Sequence, residues 1–143
     1  MSFEYVDHTA DVAVRLRSGS AAELFRDATE AMLSTLLDRE QTPQLGSKTA
    51  VPVSLAAEDD EALLVDYLNE LIFLFDTRRF LPADLEVAAL SLKPPARLEG
   101  TLRGETYDPL KHTAKTEIKA ATFHGLRIRE TDAGLEAQVV FDL

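Results

Sequence analysis

The densest group of chemically capable side chains is Asp7-His8-Thr9-Ala10-Asp11, just ahead of an alternating apolar stretch. Carboxylate oxygens suit hard divalent cations such as Ca²⁺ or Mg²⁺, which accept main-chain carbonyls and water alongside them. The same five residues also suit a turn that caps itself through Asp and Thr side chains. At the far end of the sequence, Asp142 offers a second carboxylate, and the terminal carboxylate of Leu143 another oxygen beside it. This pattern is not the ligand ladder of an EF-hand loop. His8, His112 and His124 are the only histidines, and they lack the i, i+4 spacing of zinc ligands on a helix. His124 falls on an apolar parity, where a hydrogen-bonded core or edge histidine is the plainer account, and no role is assigned to it. Gly-rich phosphate loops, GxSxG elbows and CxxC pairs are absent from the sequence.

The elements that must position these groups can be read from periodicity. Val12, Val14 and Leu16 alternate with Ala13, Arg15 and Arg17, a strand with one buried face that puts Asp11 on the outward parity. Ser20-Ala21-Ala22-Glu23 is a capping box opening a helix whose apolar stripe runs through Leu24, Phe25, Ala28, Met32 and Leu36. Val51, Val53 and Leu55 mark a second strand, and Pro52 argues for an edge position or for the strand's outer end. Glu58-Asp59-Asp60-Glu61 then opens a long helix carrying Leu63, Leu64, Tyr67, Leu68, Leu71, Ile72 and Phe75, with Asp66, Asn69 and Glu70 on its wet side.

Strands return from Leu85 to Leu92, before Pro94-Pro95, and again around Leu98 and Leu102. Ile118, Ala120, Leu126 and Ile128 share the inward parity of a further strand, opposite Glu117, Lys119, Arg127 and Arg129. Asp132-Ala133-Gly134 turns a hairpin into an alternating segment from Leu135 to Leu143. Two amphipathic helices among these strands imply an α+β fold: a two-layer sandwich of a mostly antiparallel or mixed six- to seven-stranded sheet with both helices on one face. Asp11, Lys119 and Asp142 then all project from the side away from the core, where they have room to meet.

Composition narrows the setting. The sequence has 143 residues, a length that one domain accounts for, and no cysteine. Disulfides, thiolate nucleophiles and Cys-ligated zinc are thereby excluded, and a reducing cytoplasm is the expected compartment. No apolar stretch suits a signal peptide or a membrane span. A net charge of −10 repels phosphate backbones, so no direct nucleic-acid binding is expected, and any RNA role would run through a protein partner.

Four collinear segments together resemble the archease family: Asp7-His8-Thr9-Ala10-Asp11, Tyr67 through Thr77, Lys115-Thr116-Glu117-Ile118-Lys119-Ala120, and Val140-Phe141-Asp142-Leu143. The resemblance spans the sequence. It implies a non-enzymatic accessory protein that activates an RtcB-type RNA-splicing ligase, promoting its guanylation and multiple turnover in tRNA splicing and RNA repair. It further implies a divalent metal, calcium in the family with magnesium or manganese as alternatives, held by Asp11, Asp142 and an oxygen of Leu143. Lys119, with Asp7 and His8, is implied in activating the partner. The family often shows Tyr-His where this sequence has Phe123-His124, so a role for that tyrosine hydroxyl is lost here. Two rival readings are a metal-dependent hydrolase built on Asp7, His8 and Asp11, and a chaperone-like binding module.

Overall fold

The computed structural model describes residues 2–6 and 11–143; Asp7 and His8 lie outside the described residues, as do the side chains of Val6 and of residues 123–126, and with them the parity reading of His124 and Leu126. The elements run β1 (Ser2–Val6), β2 (Asp11–Ser18), α1 (Ala21–Leu36), β3 (Thr49–Ala57), α2 (Asp60–Arg78), β4 (Phe80–Ser91), β5 (Ala96–Thr106), β6 (Ala120–Thr131) and β7 (Gly134–Asp142). The α+β architecture is as expected, and every strand pairing is antiparallel. The strands divide over two sheets, ordered β1-β2-β7-β6 and β3-β5-β4. β3 is indeed an edge strand, so the missing N–H of Pro52 need not interrupt a central ladder. β1 is an addition that periodicity did not announce; it pairs along the outer side of β2.

Local chemistry explains where the helices begin. Ser20 caps α1, its Oγ accepting the Glu23 N–H at 3.2 Å. The Glu23 carboxylate returns to the Gly19 amide at 2.9 Å, one residue short of the expected Ser20 amide. Asp59 caps α2 by accepting the Ala62 N–H at 2.8 Å, and Asp60 and Glu61 add negative charge where the helix dipole is positive. One apolar cluster draws on both sheets and both helices, including Leu16, Phe25, Tyr67, Leu98 and Phe141. Inside it the Tyr67 hydroxyl lies 2.6 Å from Thr29 Oγ1, and Thr29 donates to the Phe25 carbonyl. Burial pushes the Tyr67 hydroxyl far above its ordinary range against the opposing pull of that hydrogen bond, so it stays protonated.

Two features shape the four-stranded sheet. Gly134 closes the β6–β7 hairpin at φ 132°, and a methyl group there would run into the Ser18 carbonyl oxygen. In β6 the pairing passes from Thr122↔Val140 to Arg127↔Gln138, so three more residues are spent on β6 than on β7. An odd insertion exchanges the faces. Ala121, not Ala120, is therefore the buried residue ahead of the bulge, and the uniform even parity expected from Ile118 to Ile128 does not hold.

Candidate functional site

At one corner of the four-stranded sheet, Asp11 of β2 stands directly opposite Asp142 of β7, and Asp142 stands opposite Ala120 of β6. The next residues along, Val12, Phe141 and Ala121, pack into the core, so Asp11, Asp142 and Ala120 occupy the outer face. Directly opposed residues bring their Cβ atoms to roughly 5 Å. Asp11 is half-buried and Asp142 exposed. Two carboxylates at that separation repel each other, and positive charge placed nearby relieves that repulsion. Leu143 follows at the edge of this corner, its side chain packed against the core.

Lys119 reaches the same corner by a different route from the one expected. It precedes β6, and its main-chain N–H donates to the Asp142 carbonyl at 2.8 Å. Ile118 and Ala121 are both buried, so the alternation breaks between them. Strand parity places Ala120, not Lys119, on the face of the two aspartates. Lys119 is exposed beside them. The structure thus brings together Asp11, Asp142, Leu143 and Lys119.

The donor set available at the corner is all oxygen: two aspartate side chains and neighbouring main-chain oxygens, that of Leu143 among them. That composition fits a hard cation and offers nothing to a soft one. Among the described residues no group of three or more His, Cys, Asp or Glu side chains gathers at metal-holding range, so main-chain oxygens and water would complete the shell.

Sequence reasoning missed the group that fixes this corner from behind. The Asn69 side chain, expected on the wet side of α2, donates from Nδ2 to the Ala121 carbonyl at 3.0 Å and accepts the Ala121 N–H on Oδ1 at 2.8 Å. Glu61 accepts the Ile128 N–H at 3.3 Å further along. Helix α2 therefore supplies to the open edge of β6 the bonds that a neighbouring strand would supply. An amide in the polar stripe of a helix is the only trace of this in the sequence.

A separate cleft of about 390 Å³ lies where the ends of α1 and α2 meet residues 114–118; Met32, Leu36, Ile72 and Ile118 line its apolar part, with Arg79 and Lys115 among its polar residues. No helix among the described residues is long and apolar enough to cross a membrane.

Comparison with known proteins adds an independent line. The family model described as Archease protein family (MTH1598/TM1083) matches residues 3–143. Protein archease of Archaeoglobus fulgidus is 36% identical over 143 residues, covering 100% of both chains. That of Methanosarcina acetivorans is 34% identical over 142 residues, covering 99% of this chain and 95% of its own. The solution structure of Methanobacterium thermoautotrophicum protein 1598 superimposes with a TM-score of 0.81 at 31% identity, covering 99% of each chain. A Thermotoga maritima crystal structure, described as an archease and possible chaperone, shares the fold with a TM-score of 0.64 at 24% identity, covering 96% of this chain and 94% of its own.

Proposed function

The chain belongs to the archease family, and from that premise we propose that it is an accessory protein that activates an RtcB-type RNA-splicing ligase. It promotes guanylation and repeated turnover of that enzyme in tRNA splicing and RNA repair, and the ligase carries out the chemistry. The observation that supports this reading best is the Asp11–Asp142 pair on the outer face of the sheet, with Lys119 bonded to the same strand end. Asp11, Asp142 and an oxygen of Leu143 would hold a divalent ion, calcium first and magnesium or manganese as alternatives. When bound, that ion supplies charge neutralisation and a Lewis acid at the contact with the partner.

The residues of the chain do the rest. The two carboxylates, fixed by ladder pairing, present a preformed anionic corner. Lys119 places an ammonium group beside it, suited to a carboxylate or phosphate of the partner. An accessory of this kind acts by favouring the partner conformation that takes up guanylate. The acidic surface of the chain steers it toward the basic surface that an RNA-binding enzyme must present. The chaperone-like reading draws on the description of the Thermotoga maritima relative and on the cleft with its apolar floor.

The deciding experiment is multiple-turnover RNA ligation and ligase guanylation by the cognate RtcB-type enzyme, with wild-type protein, Asp11→Ala or Asp142→Ala. Wild type is expected to accelerate both steps, and each variant to lose at least about tenfold of that acceleration, equivalent to ~1.4 kcal/mol of barrier. Calorimetric titration of Ca²⁺ into the isolated proteins should show binding only to wild type. Acceleration that survives both substitutions would remove the carboxylates from the mechanism, and absence of any wild-type effect would remove the ligase reading itself.

A further inference from the structure

The sheet that carries the aspartate corner has a second polar region on the same outer face. Arg15 of β2 lies opposite both Glu4 of β1 and Gln138 of β7, and Gln138 in turn opposes Arg127 of β6. One row further on, Arg17 opposes Glu136, and Glu136 opposes Arg129. In these two rows four guanidiniums sit with two carboxylates, in a chain whose net charge is −10. The pairs are Arg15–Glu4 at 3.0 Å, Arg17–Glu4 at 3.3 Å, Arg17–Glu136 at 3.9 Å and Arg129–Glu136 at 3.3 Å. Arg127 makes no ion pair among the described residues; its ladder neighbour is the neutral Gln138. Arg15, Arg127 and Arg129 enclose a concavity of about 280 Å³ floored by Glu136, Ala137 and Gln138.

We propose that this arginine-lined concavity is a binding site for the phosphodiester backbone of single-stranded RNA. The inference rests on the RNA-ligase reading above and adds to it that the accessory touches the substrate strand as well as the enzyme. Guanidinium forks match phosphate oxygens in pairs, and the Gln138 amide between two of them adds a neutral donor. Arg127 and Arg129 are two residues apart on one face, roughly 7 Å by strand rise. An extended polynucleotide presents successive phosphates at a similar interval. From Arg15 to Asp11 along β2 is roughly 13 Å, so a strand crossing the patch heads toward the carboxylate corner. Phe3 and Tyr5 alternate with the outward Glu4 and point to the other side of the sheet, so among the described residues this face has no aromatic platform for bases. Recognition is therefore of backbone and not of sequence. The global negative charge keeps affinity for free RNA weak and confines binding to the patch, where the local sign is reversed.

The test is fluorescence anisotropy of labelled oligouridylate and oligoadenylate titrated with the full chain at low salt. Four proteins are compared: wild type, Arg127→Gln, the patch triple Arg15→Gln/Arg127→Gln/Arg129→Gln, and a control triple Lys48→Gln/Arg78→Gln/Lys93→Gln that removes the same charge elsewhere. The patch triple is expected to bind both oligonucleotides at least tenfold more weakly than wild type, with a plot of affinity against salt shallower by about 2 in log units, ~0.7 for each lost phosphate contact. Arg127→Gln breaks no ion pair among the described residues, so it guards against misfolding and should weaken binding severalfold. The control triple should stay near wild type. Equal losses in both triples would reduce the effect to net charge and overturn the site. Capture of polyglutamate in place of RNA would overturn it in favour of an acidic protein surface. No ligase is present, so wild-type activation of the ligase without RNA binding refutes this inference alone, and RNA binding without activation refutes the ligase reading alone.

Discussion

Glu105 shows how a single carboxylate can be worth more at neutral pH than in acid. Its Oε1 accepts the Gly46 N–H at 2.7 Å, its Oε2 accepts from Lys111 Nζ at 2.6 Å, and the buried His112 Nε2 lies 3.5 Å away. Because His112 Nδ1 accepts the Asp108 N–H at 2.8 Å, the neutral ring carries its proton on Nε2, facing the carboxylate. Burial raises the Glu105 pKa, and the hydrogen bonds from Lys111 and Gly46, with the Lys111 charge and the nearby His112 ring, more than offset it, leaving the group below its ordinary value. A carboxyl depressed by folding stabilises the native state above its unfolded pKa of about 4.3, and that contribution is lost as pH falls through the folded value. Glu105→Gln is therefore expected to melt below wild type at pH 7, with the gap closing as pH drops under 4; thermal denaturation across pH checks it. At this scale the sequence was partly legible. Outward parity correctly placed Asp11 and Asp142 on one face, because both lie in regular ladder. It misplaced Lys119, because alternation carries no information across a break, and the break lies between Ile118 and Ala121.

Among the elements, the join between α2 and β6 has the most to do with the candidate site. The two bonds from Asn69 satisfy an N–H and a C=O on Ala121, which is only 4% exposed. Asn69→Ala would leave both groups buried without a partner, each at a cost of about 1–3 kcal/mol. The expected result is a chemical-denaturation midpoint shifted to match that loss, with faster amide exchange in residues 119–122 than in β3. Helices, caps and the hairpin were readable because each rests on local chemistry: Ser20, Asp59 and Gly134 act within a few residues of themselves. The division into two sheets was not, since Pro52 marks an edge without saying of which sheet. β1 offers only Phe3 and Tyr5 as an apolar alternation, too short a run to stand out. The bulge in β6 hides in a stretch whose composition suits an unbroken strand.

Over the whole molecule, charge is arranged rather than merely summed. The acidic total suits diffusion toward a basic enzyme, and such attraction fades as ionic strength shortens the Debye length from about 10 Å at 0.1 M salt to about 3 Å at 1 M. Under the proposed function, activation of the ligase at limiting concentrations of this protein is therefore expected to decline with added salt and recover when more protein is supplied. Flat activation from low to high salt would show that the encounter is not electrostatically steered.

The pairing of Asp11 with Asp142 joins residues near opposite ends of the chain, with both helices and the three-stranded sheet between them. A contact of such long sequence separation carries a large loop-closure penalty, which favours its forming late in folding. The two carboxylates meet only when the central strands of the four-stranded sheet are in register. An enzyme reading this corner, as proposed, would answer only to molecules whose folding is finished, and the corner would double as a certificate of maturity.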